Sequence, residues 1–213
     1  MWPAPPRWLS LVLFAVALGA AGWRVPDVPA PVVEPPTGRI SVPLLPEMNA
    51  PALARLPDGR IAAAWTAADG AAGATVILFS LRGDAGWSAP RPIVSRETAA
   101  GGLLAHIRRV EQPQLYVEGS WLHLWFAAIG PGGAANGTLT HSVSTNAGGS
   151  WTAPARLPTS PLAGYGAAPD GPPLPLADGG LLLPLRNRLT DEPSWLRLTA
   201  TGRVVDQRHW TKP

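Results

Sequence analysis

Short apolar runs alternate with turns along most of this chain. The strongest runs are residues 75–80, 121–127 and 181–185, and each is bounded by glycine, proline or polar turn residues. Runs of this length between turn signals predict buried strands, because a helix needs a longer segment with a period near 3.6. No segment after residue 24 has a convincing helical period. The pattern therefore predicts an all-β fold.

The strand pattern occurs three times. In each copy a strand leads to a turn that contains an acidic residue followed by glycine, and a second strand comes next. A repeat of about 60 residues with about four short strands is typical of a β-propeller blade. We therefore predict about three blades, in units that span residues 49–92, 95–157 and 165–213.

A glycine-rich turn precedes Trp151 at the end of a predicted strand. Asn146, Gly148 and Gly149 are predicted to supply the positive backbone φ angles that a tight hairpin needs. We interpret Trp151 as a plug that folds back over this turn, and not as a surface for stacking sugars. The same features recur at two further places: Asp84, Gly86 and Trp87 in the first unit, and Trp210 in the third.

The segment Ser144-x-Asn146-x-Gly148-x-x-Trp151 resembles the Asp-box, the bacterial neuraminidase repeat, whose pattern is Ser-x-Asp-x-Gly-x-x-Trp. Asn146 stands where that family usually has aspartate. From about residue 48 onward, the order of motifs also resembles the predicted-neuraminidase branch of the sialidase superfamily (exo-α-sialidases). The segments that carry this resemblance are residues 50–53, 56–60, 86–90, 172–179 and 181–184.

The resemblance implies a sialidase-type β-propeller that acts on glycans. The family's propeller has six blades, so three units make a partial ring. An open ring leaves unpaired strand edges that soluble proteins rarely tolerate. Two explanations follow: the sequence is the N-terminal part of a longer protein, or a second copy completes the ring by self-association.

The resemblance also implies a chemistry for the site. Sialidases hold the substrate carboxylate with arginines, because a guanidinium fork matches a carboxylate. They use a tyrosine paired with glutamate as nucleophile and an aspartate as general acid/base, unlike the usual glycosidases with two carboxylates. Here Asn49 occupies the position of an arginine or histidine in the first unit. Residues 186–188 read Arg-Asn-Arg where the related branch has Tyr-His-Glu.

Each candidate site residue has two interpretations. Asp69 is either a catalytic general acid or half of an Asp-Gly turn. Arg108 matches a family motif and either faces the central funnel or lies on the surface. Arg186 and Arg188 alternate onto one side of a strand, where they form either an anion clamp or a solvated rim. Tyr165, in a glycine-rich loop, is the candidate for stacking on a sugar.

Two functions follow from these residues. The first is an exo-α-sialidase-like glycoside hydrolase fragment, with Asp69 as its catalytic residue and Asn49, Arg108, Tyr165, Arg186 and Arg188 as its substrate-binding residues. The resemblance places the tyrosine–glutamate pair and the later arginines in the second half of the ring, outside this sequence. The second is a non-catalytic glycan-binding or scaffold propeller that has lost the sugar clamp. The altered residues at position 49 and at 186–188 favour the second function, whereas the usual activity of the family favours the first.

The N-terminal region predicts an exported protein. Residues 9–23 form an apolar run after Arg7, so residues 1–24 are either a cleaved signal peptide or an N-terminal membrane anchor. Residues 25–46 are rich in proline and predict a stiff, extended linker before the propeller at 47–213. Both alternatives place the propeller in the periplasm or outside the cell.

Composition excludes several other classes. Charged residues make up 15% of the chain and the formal net charge is +3, without a cluster of Lys and Arg interleaved with aromatic residues, so nucleic acid is not an expected partner. The absence of cysteine excludes disulfides and thiolate chemistry. The four histidines lack metal-ligand spacing, and no glycine-rich segment has the context of a phosphate loop. We therefore expect no metal and no cofactor. Glu111, beside Arg108 and Arg109, is interpreted as an ion-pair partner.

Overall fold

The structure is a computed structural model that describes residues 49–70, 73–159 and 166–209. These residues belong to one compact unit, Pro31–Pro213. They form three antiparallel sheets with five, four and five strands. The all-β prediction is therefore confirmed. The leader, the proline-rich linker, Tyr165 and Trp210 lie outside the described residues.

The first sheet has the strand order β1-β2-β3-β4, and β5 also pairs with β3. Neighbouring strands are antiparallel, so tight turns connect them, as the Asp-Gly and Gly-rich segments of the sequence predict. Its strands are β1 (Asn49–Arg55), β2 (Ile61–Ala68), β3 (Thr75–Gly83), β4 (Gly86–Trp87) and β5 (Arg91–Val94).

The second sheet has the order β6-β7-β8-β9, and the third has the order β10-β12-β13-β14, with β11 also paired to β12. A short 3₁₀ turn, Gly133–Asn136, leads into β8. The strands of the second sheet are β6 (Arg109–Glu118), β7 (Trp121–Ile129), β8 (Gly137–Ser144) and β9 (Ala155–Arg156). Those of the third are β10 (Ala167–Pro169), β11 (Leu174–Pro175), β12 (Leu181–Asn187), β13 (Pro193–Leu198) and β14 (Val204–His209).

The first two sheets repeat the same hydrogen bonds where the chain leaves the turn after the third strand. In the first sheet, Ser80 Oγ donates to the carbonyl oxygen of Ser88 at 2.7 Å. In the second, Ser142 Oγ donates to the carbonyl oxygen of Thr152, also at 2.7 Å. The hydroxyls of Ser88 and Thr152 each accept a backbone N–H from the facing strand. The recurring Trp-Ser and Trp-Thr pairs of the sequence therefore mark one repeated structural unit.

Strand β7 lies in the middle of the molecule and is buried on both faces. Its even-numbered residues, including Leu124 and Phe126, pack into the core shared with the first sheet. Trp125 packs into the core shared with the third sheet, against Leu183 and Leu196. Burial on both faces explains why residues 121–127 read as a continuous apolar run and do not alternate with polar residues.

In the part of the chain that the structure describes, one α-helix connects the first sheet to the second, and the sequence did not predict it. Helix α1 (Arg96–Leu103) begins at Ser95, whose side chain accepts the backbone N–H of Thr98, and a reciprocal bond completes a capping box. Ala99 is its only buried residue, so the segment has no apolar period to detect. The helix is an addition to the connection and replaces no strand. No helix among the described residues is long and apolar enough to cross a membrane.

Candidate functional site

A cavity of about 320 Å³ lies where residues from all three sheets meet. Residues of β1, β2 and β3 line it together with residues of β6 and one residue just after β12. We call this the three-sheet pocket. Its lining residues are Asn49, Ala50, Thr66, Thr75, Arg109, Glu111, Gln112 and Arg188.

Two equivalent bulges shape the three-sheet pocket. The register of β1 against β2 shifts between Asn49 and Ala52, and the register of β6 against β7 shifts between Glu111 and Gln114. In each bulge a residue adopts a left-handed backbone: φ is 48° at Ala50 and 53° at Gln112. A proline, which has no N–H for the ladder, follows each of them. Left-handed non-glycine residues cost about 1 kcal/mol or more and concentrate at functional sites.

Glu111 is the acidic residue of the three-sheet pocket, and two arginines hold it. Arg188 Nη1 donates to Glu111 Oε2 at 2.5 Å, across 77 residues of sequence. Arg109 Nε meets Oε1 as an ion pair, although its N–H is not aligned for a hydrogen bond. The Glu111 side chain is 17% exposed. Two guanidiniums against one carboxylate leave the pocket with a net positive charge.

Two oxygens in the three-sheet pocket are buried without a partner. Thr66 Oγ1 and Gln112 Oε1 have no hydrogen bond, and Thr66 is 6% exposed. By contrast, the nearby Thr75 hydroxyl is satisfied, because it donates to the Val110 carbonyl and accepts the Val110 N–H. An unsatisfied buried polar atom costs about 1–3 kcal/mol. A ligand hydroxyl or water in the pocket would remove that cost.

The structure brings two of the sequence-predicted residues, Asn49 and Arg188, to the three-sheet pocket. Asp69 lies on the exposed β2–β3 loop, where its backbone N–H donates to the Ala74 carbonyl, and it does not line this pocket. Arg108 is exposed and lines a different cavity. The stacking role suggested for Tyr165 falls outside the described residues and stays a prediction.

Arg186 and Arg188 have separate partners. Arg186 Nε donates to Asp170 Oδ2 at 2.9 Å, and its Nη1 donates to Asp191 Oδ1 at 3.2 Å. These bonds raise the pKa of Arg186 above its usual value. The Arg186 side chain is 43% exposed. Strand alternation suggested a shared clamp, but the structure gives these two arginines different acidic partners.

Sequence reasoning assigned no site role to the other six lining residues: Ala50, Thr66, Thr75, Arg109, Glu111 and Gln112. The interpretation of Glu111 as an ion-pair partner is confirmed, but its partners are Arg109 and the distant Arg188. A usable signal was present, because Asn49-Ala50-Pro51 and Glu111-Gln112-Pro113 stand at equivalent places in two repeats. Aligning these triplets shows that residues 49 and 111 occupy equivalent positions on β1 and β6, the first strands of the first two sheets.

The Asp-box turn lies at the C-terminal end of β8, whereas the pocket lies near the end of the sheet where β6 begins and β8 begins. Asn146 Oδ1 accepts the Ser144 hydroxyl at 2.9 Å and the backbone N–H of Ser150 at 2.8 Å. Ser144 Oγ accepts the N–H of Gly148 at 2.8 Å. The left-handed φ angles of this turn are at Ala147 (54°) and Gly148 (86°), so the prediction is confirmed for Gly148 and wrong for Asn146 and Gly149. Asn146 contributes through its side-chain oxygen and not through a left-handed backbone. The Trp151 ring packs edge-on against Phe79 of the first sheet. The turn is therefore a structural link between two sheets.

The first-unit version of this turn is a different hairpin. Gly83 pairs with Gly86, so Asp84 and Ala85 form a two-residue loop, and φ at Gly86 is 100°. Asp84 is exposed. Trp87 packs against the buried cluster that contains Trp65. Trp87 thus packs against buried residues, as Trp151 does. In this described turn, Asp84 makes no counterpart of the hydrogen bonds that Asn146 accepts.

Asn146→Asp is expected to leave stability nearly unchanged, since aspartate keeps the oxygen that accepts both bonds. Asn146→Ala is expected to lower the free energy of unfolding by about 1–2 kcal/mol, because it removes the acceptor of a capping-type turn. Urea unfolding of both variants checks this. Equal losses for the two variants would contradict a role for the acceptor oxygen.

The fold and the repeats match known proteins. The BNR repeat-like domain family matches residues 59–212. A comparison by sequence with curated proteins found no match. Solved structures of similar fold include the Hadza microbial sialidase Hz136, with a TM-score of 0.54 and 17% identity over 71% of this chain and 34% of that one.

Two further structures have similar folds. Zg3597, a family 117 glycoside hydrolase from Zobellia galactanivorans, has a TM-score of 0.57 and 16% identity, and the match covers 76% of this chain and 55% of that one. The RS223 β-xylosidase has a TM-score of 0.59 and 10% identity over 76% of this chain and 59% of that one. The chain thus spans between about a third and three fifths of these structures. It belongs to the BNR repeat-like domain family and has a sialidase-like β-propeller fold of about three blades.

Proposed function

We propose that the three-sheet pocket binds one sugar unit of a glycan, and that its preferred sugar carries a carboxylate, as sialic acid does. The observation that carries this proposal is the position of Glu111 between two arginines from two sheets, next to the unpartnered oxygens of Thr66 and Gln112. The cavity volume of about 320 Å³ lies at the small end of the range for ligand sites.

The donors and acceptors of the three-sheet pocket match a polyhydroxylated ligand. Each sugar hydroxyl both donates and accepts, so it can give its proton to Gln112 Oε1 and accept from an arginine or from the Asn49 amide. The net positive charge favours one negative group on the ligand. Arg188 uses Nη1 for Glu111, which leaves the rest of its guanidinium to meet a carboxylate.

Hydrolysis is a second candidate function. The folds of a sialidase and of two other glycosidases favour it. Against it, Glu111 is the single acidic side chain lining the described pocket, and it is already held by two arginines. Hydrolysis with retained stereochemistry needs a nucleophile as well as an acid. Binding therefore has the stronger support, with Asp69 as the candidate general acid that hydrolysis would require.

Export is part of the proposal and rests on residues 1–24 of the sequence alone. A leader of this kind would place the pocket in contact with glycans outside the cytoplasm, either freely or close to the membrane. Cell fractionation, together with N-terminal sequencing of the mature chain, separates a cleaved signal from a retained anchor. Recovery of the protein in the cytoplasm with its first residues intact would contradict export.

Arg188→Gln is expected to weaken binding of a sialylated trisaccharide by roughly 10- to 100-fold, because it removes one of two arginines that face the ligand. Arg186→Gln is the matched control: it makes the same change in charge two residues away, at a side chain held by Asp170 and Asp191. Isothermal titration calorimetry measures both dissociation constants. Equal losses of affinity in Arg188→Gln and Arg186→Gln would contradict the three-sheet pocket as the binding site.

A fluorogenic sialoside tests hydrolysis separately. We expect binding without turnover by this chain. Turnover that Asp69→Asn abolishes, while binding persists, would replace the binding function with the hydrolase.

A further inference from the structure

A second, larger cavity adjoins the three-sheet pocket. Its volume is about 550 Å³, and it lies between the β2–β3 loop, helix α1 and the β7–β8 loop. Arg109 lines both cavities, so they meet at that side chain. We call this the arginine cavity, because Arg96, Arg108 and Arg109 line it together with Glu97, His106 and Gly130.

The lining of the arginine cavity carries an excess of positive charge. Three arginines face one glutamate. Arg96 Nε donates to Glu97 at 2.5 Å, and Arg109 forms an ion pair with Glu111 of the neighbouring pocket. Within the described part of the chain, the Arg108 guanidinium has no ion pair and no hydrogen bond of its own. Arg108 is therefore the cation that is available to an incoming group.

We propose that the arginine cavity is a subsite for an oxyanion, a carboxylate or a sulfate ester, carried on the sugar next to the one in the three-sheet pocket. This inference rests on the proposed function, since it extends the same ligand past Arg109. A planar guanidinium with free N–H groups matches the oxygens of either anion. A volume of about 550 Å³ accommodates a sugar ring and is larger than a free ion requires.

The packing of the β7–β8 loop fixes one wall of the arginine cavity. Gly130 begins this loop and lines the cavity, and a Cβ added there would lie 2.8 Å from Asn136 Nδ2 and 3.3 Å from the His106 carbonyl oxygen. Asn136 Nδ2 in turn donates to the Pro131 carbonyl at 2.8 Å. Position 130 therefore requires glycine for the packing of this wall, and a larger residue there would displace Asn136 or the His106 backbone.

The test uses three disaccharides of equal size: one with a uronate, one with a sulfate ester and one that is neutral. Calorimetry with the whole chain compares the unmodified protein, Arg108→Gln and Arg156→Gln. Arg156 is an exposed arginine of β9 that lines neither cavity, so its variant controls for net charge. We expect Arg108→Gln to weaken the two charged ligands about tenfold and the neutral one less than twofold. The ratio of uronate to sulfate affinities identifies the preferred anion.

A second measurement is independent of the three-sheet pocket. Inorganic sulfate titrated into the protein is expected to shift the NMR signal of the Arg108 Nε–H, and 0.5 M sodium chloride is expected to reduce that shift, since added salt screens exposed charges (Debye length about 10 Å at 0.1 M). Loss of glycan binding in Arg188→Gln with the sulfate shift intact would support the oxyanion subsite alone. Equal losses for charged and neutral disaccharides in Arg108→Gln, or no sulfate shift at Arg108, would overturn the inference.

Discussion

Lowering the pH from about 6.5 to about 4 is expected to remove roughly 3–5 kcal/mol from the free energy of unfolding, through His123 and His141. The His123 Nδ1 and His141 Nε2 atoms are 3.0 Å apart. The pKa of each imidazole is lowered from 6.5 to about 4, mainly by burial and, for His141, also by the charge of His123. Each pKa unit corresponds to about 1.4 kcal/mol, and cation–π contact with the stacked Trp125 ring offsets part of the cost.

The loss of stability at low pH follows from the difference in proton uptake between the folded and unfolded states. A histidine whose pKa is lowered in the folded state contributes its full share of stability above the unfolded pKa near 6.5. That share is lost as the pH falls toward 4, because the unfolded chain binds the proton more readily. Among the described residues, no carboxylate shifts either pKa. The neighbours of the pair include Trp121, Trp125, Tyr116 and the Gly202 turn.

Urea unfolding at a series of pH values measures this loss. His123→Phe is expected to reduce the loss between pH 6.5 and pH 4 by about half or more, since it removes one titrating ring and the charge that acts on the other. His106→Phe, at an exposed histidine, is the control. An unchanged pH slope in His123→Phe would show that other groups cause the acid sensitivity.

Phe79→Ala is expected to lower the free energy of unfolding by about 3–5 kcal/mol, the range for deleting a buried phenylalanine. Phe79 is 1% exposed. Its ring meets Trp151 of the Asp-box with centroids 5.7 Å apart and planes at 76°, and Arg91 lies 5.4 Å from its centroid on the other strand. Removing the ring therefore breaks the contact that joins the first sheet to the turn of the second.

Gly148→Ala is expected to destabilise the packing of the Asp-box turn against Phe79. A Cβ at this position would lie 2.4 Å from the Phe79 ring, and φ is 86°, so the variant combines a clash with backbone strain, roughly 2–4 kcal/mol in total. Gly179→Ala has a similar φ of 80° and nothing within 4 Å, so it measures the strain alone.

A double-mutant cycle then tests the clash. In the Phe79→Ala background, Gly148→Ala is expected to cost about 1–3 kcal/mol less than it does alone, because the smaller side chain leaves room for the methyl group. Urea midpoints and slopes of the four proteins give the coupling energy. If the losses of the two single variants simply added in the double variant, the methyl group at position 148 would not clash with the Phe79 ring.

The fold was predictable from local chemistry. The Asp-Gly turns, the turns before Trp87 and Trp151, and the run at 121–127 reflect backbone and burial requirements that act within a few residues, so they are visible along the chain. Helix α1 was missed because its capping box stabilises a segment with one buried alanine and no apolar period. A short helix of this kind depends on the packing of its surroundings more than on its own pattern.

The site was predictable only in part, and the reason is the distance between its residues in sequence. Asn49 stood out because it occupies the position of an arginine or histidine in the family's first unit, and Arg188 because it follows an apolar strand. The ion pair between Arg188 and Glu111 joins residues 77 positions apart, and no local pattern encodes which of several arginines meets a given carboxylate. The left-handed φ angles at Ala50 and Gln112 are likewise set by bulges that exist only when two strands pair.

The linear order of turns and strands thus specified a repeated all-β unit and the plug residues of its hairpins, since hydrogen bonding and side-chain alternation in a strand are local. Assembly of three sheets decided the rest: the meeting of Arg188 with Glu111, the burial of Thr66, and the position of the Gly202 turn of the third sheet beside the histidine pair of the second. These features arise from contacts between sheets, where charge and burial depend on three-dimensional neighbours.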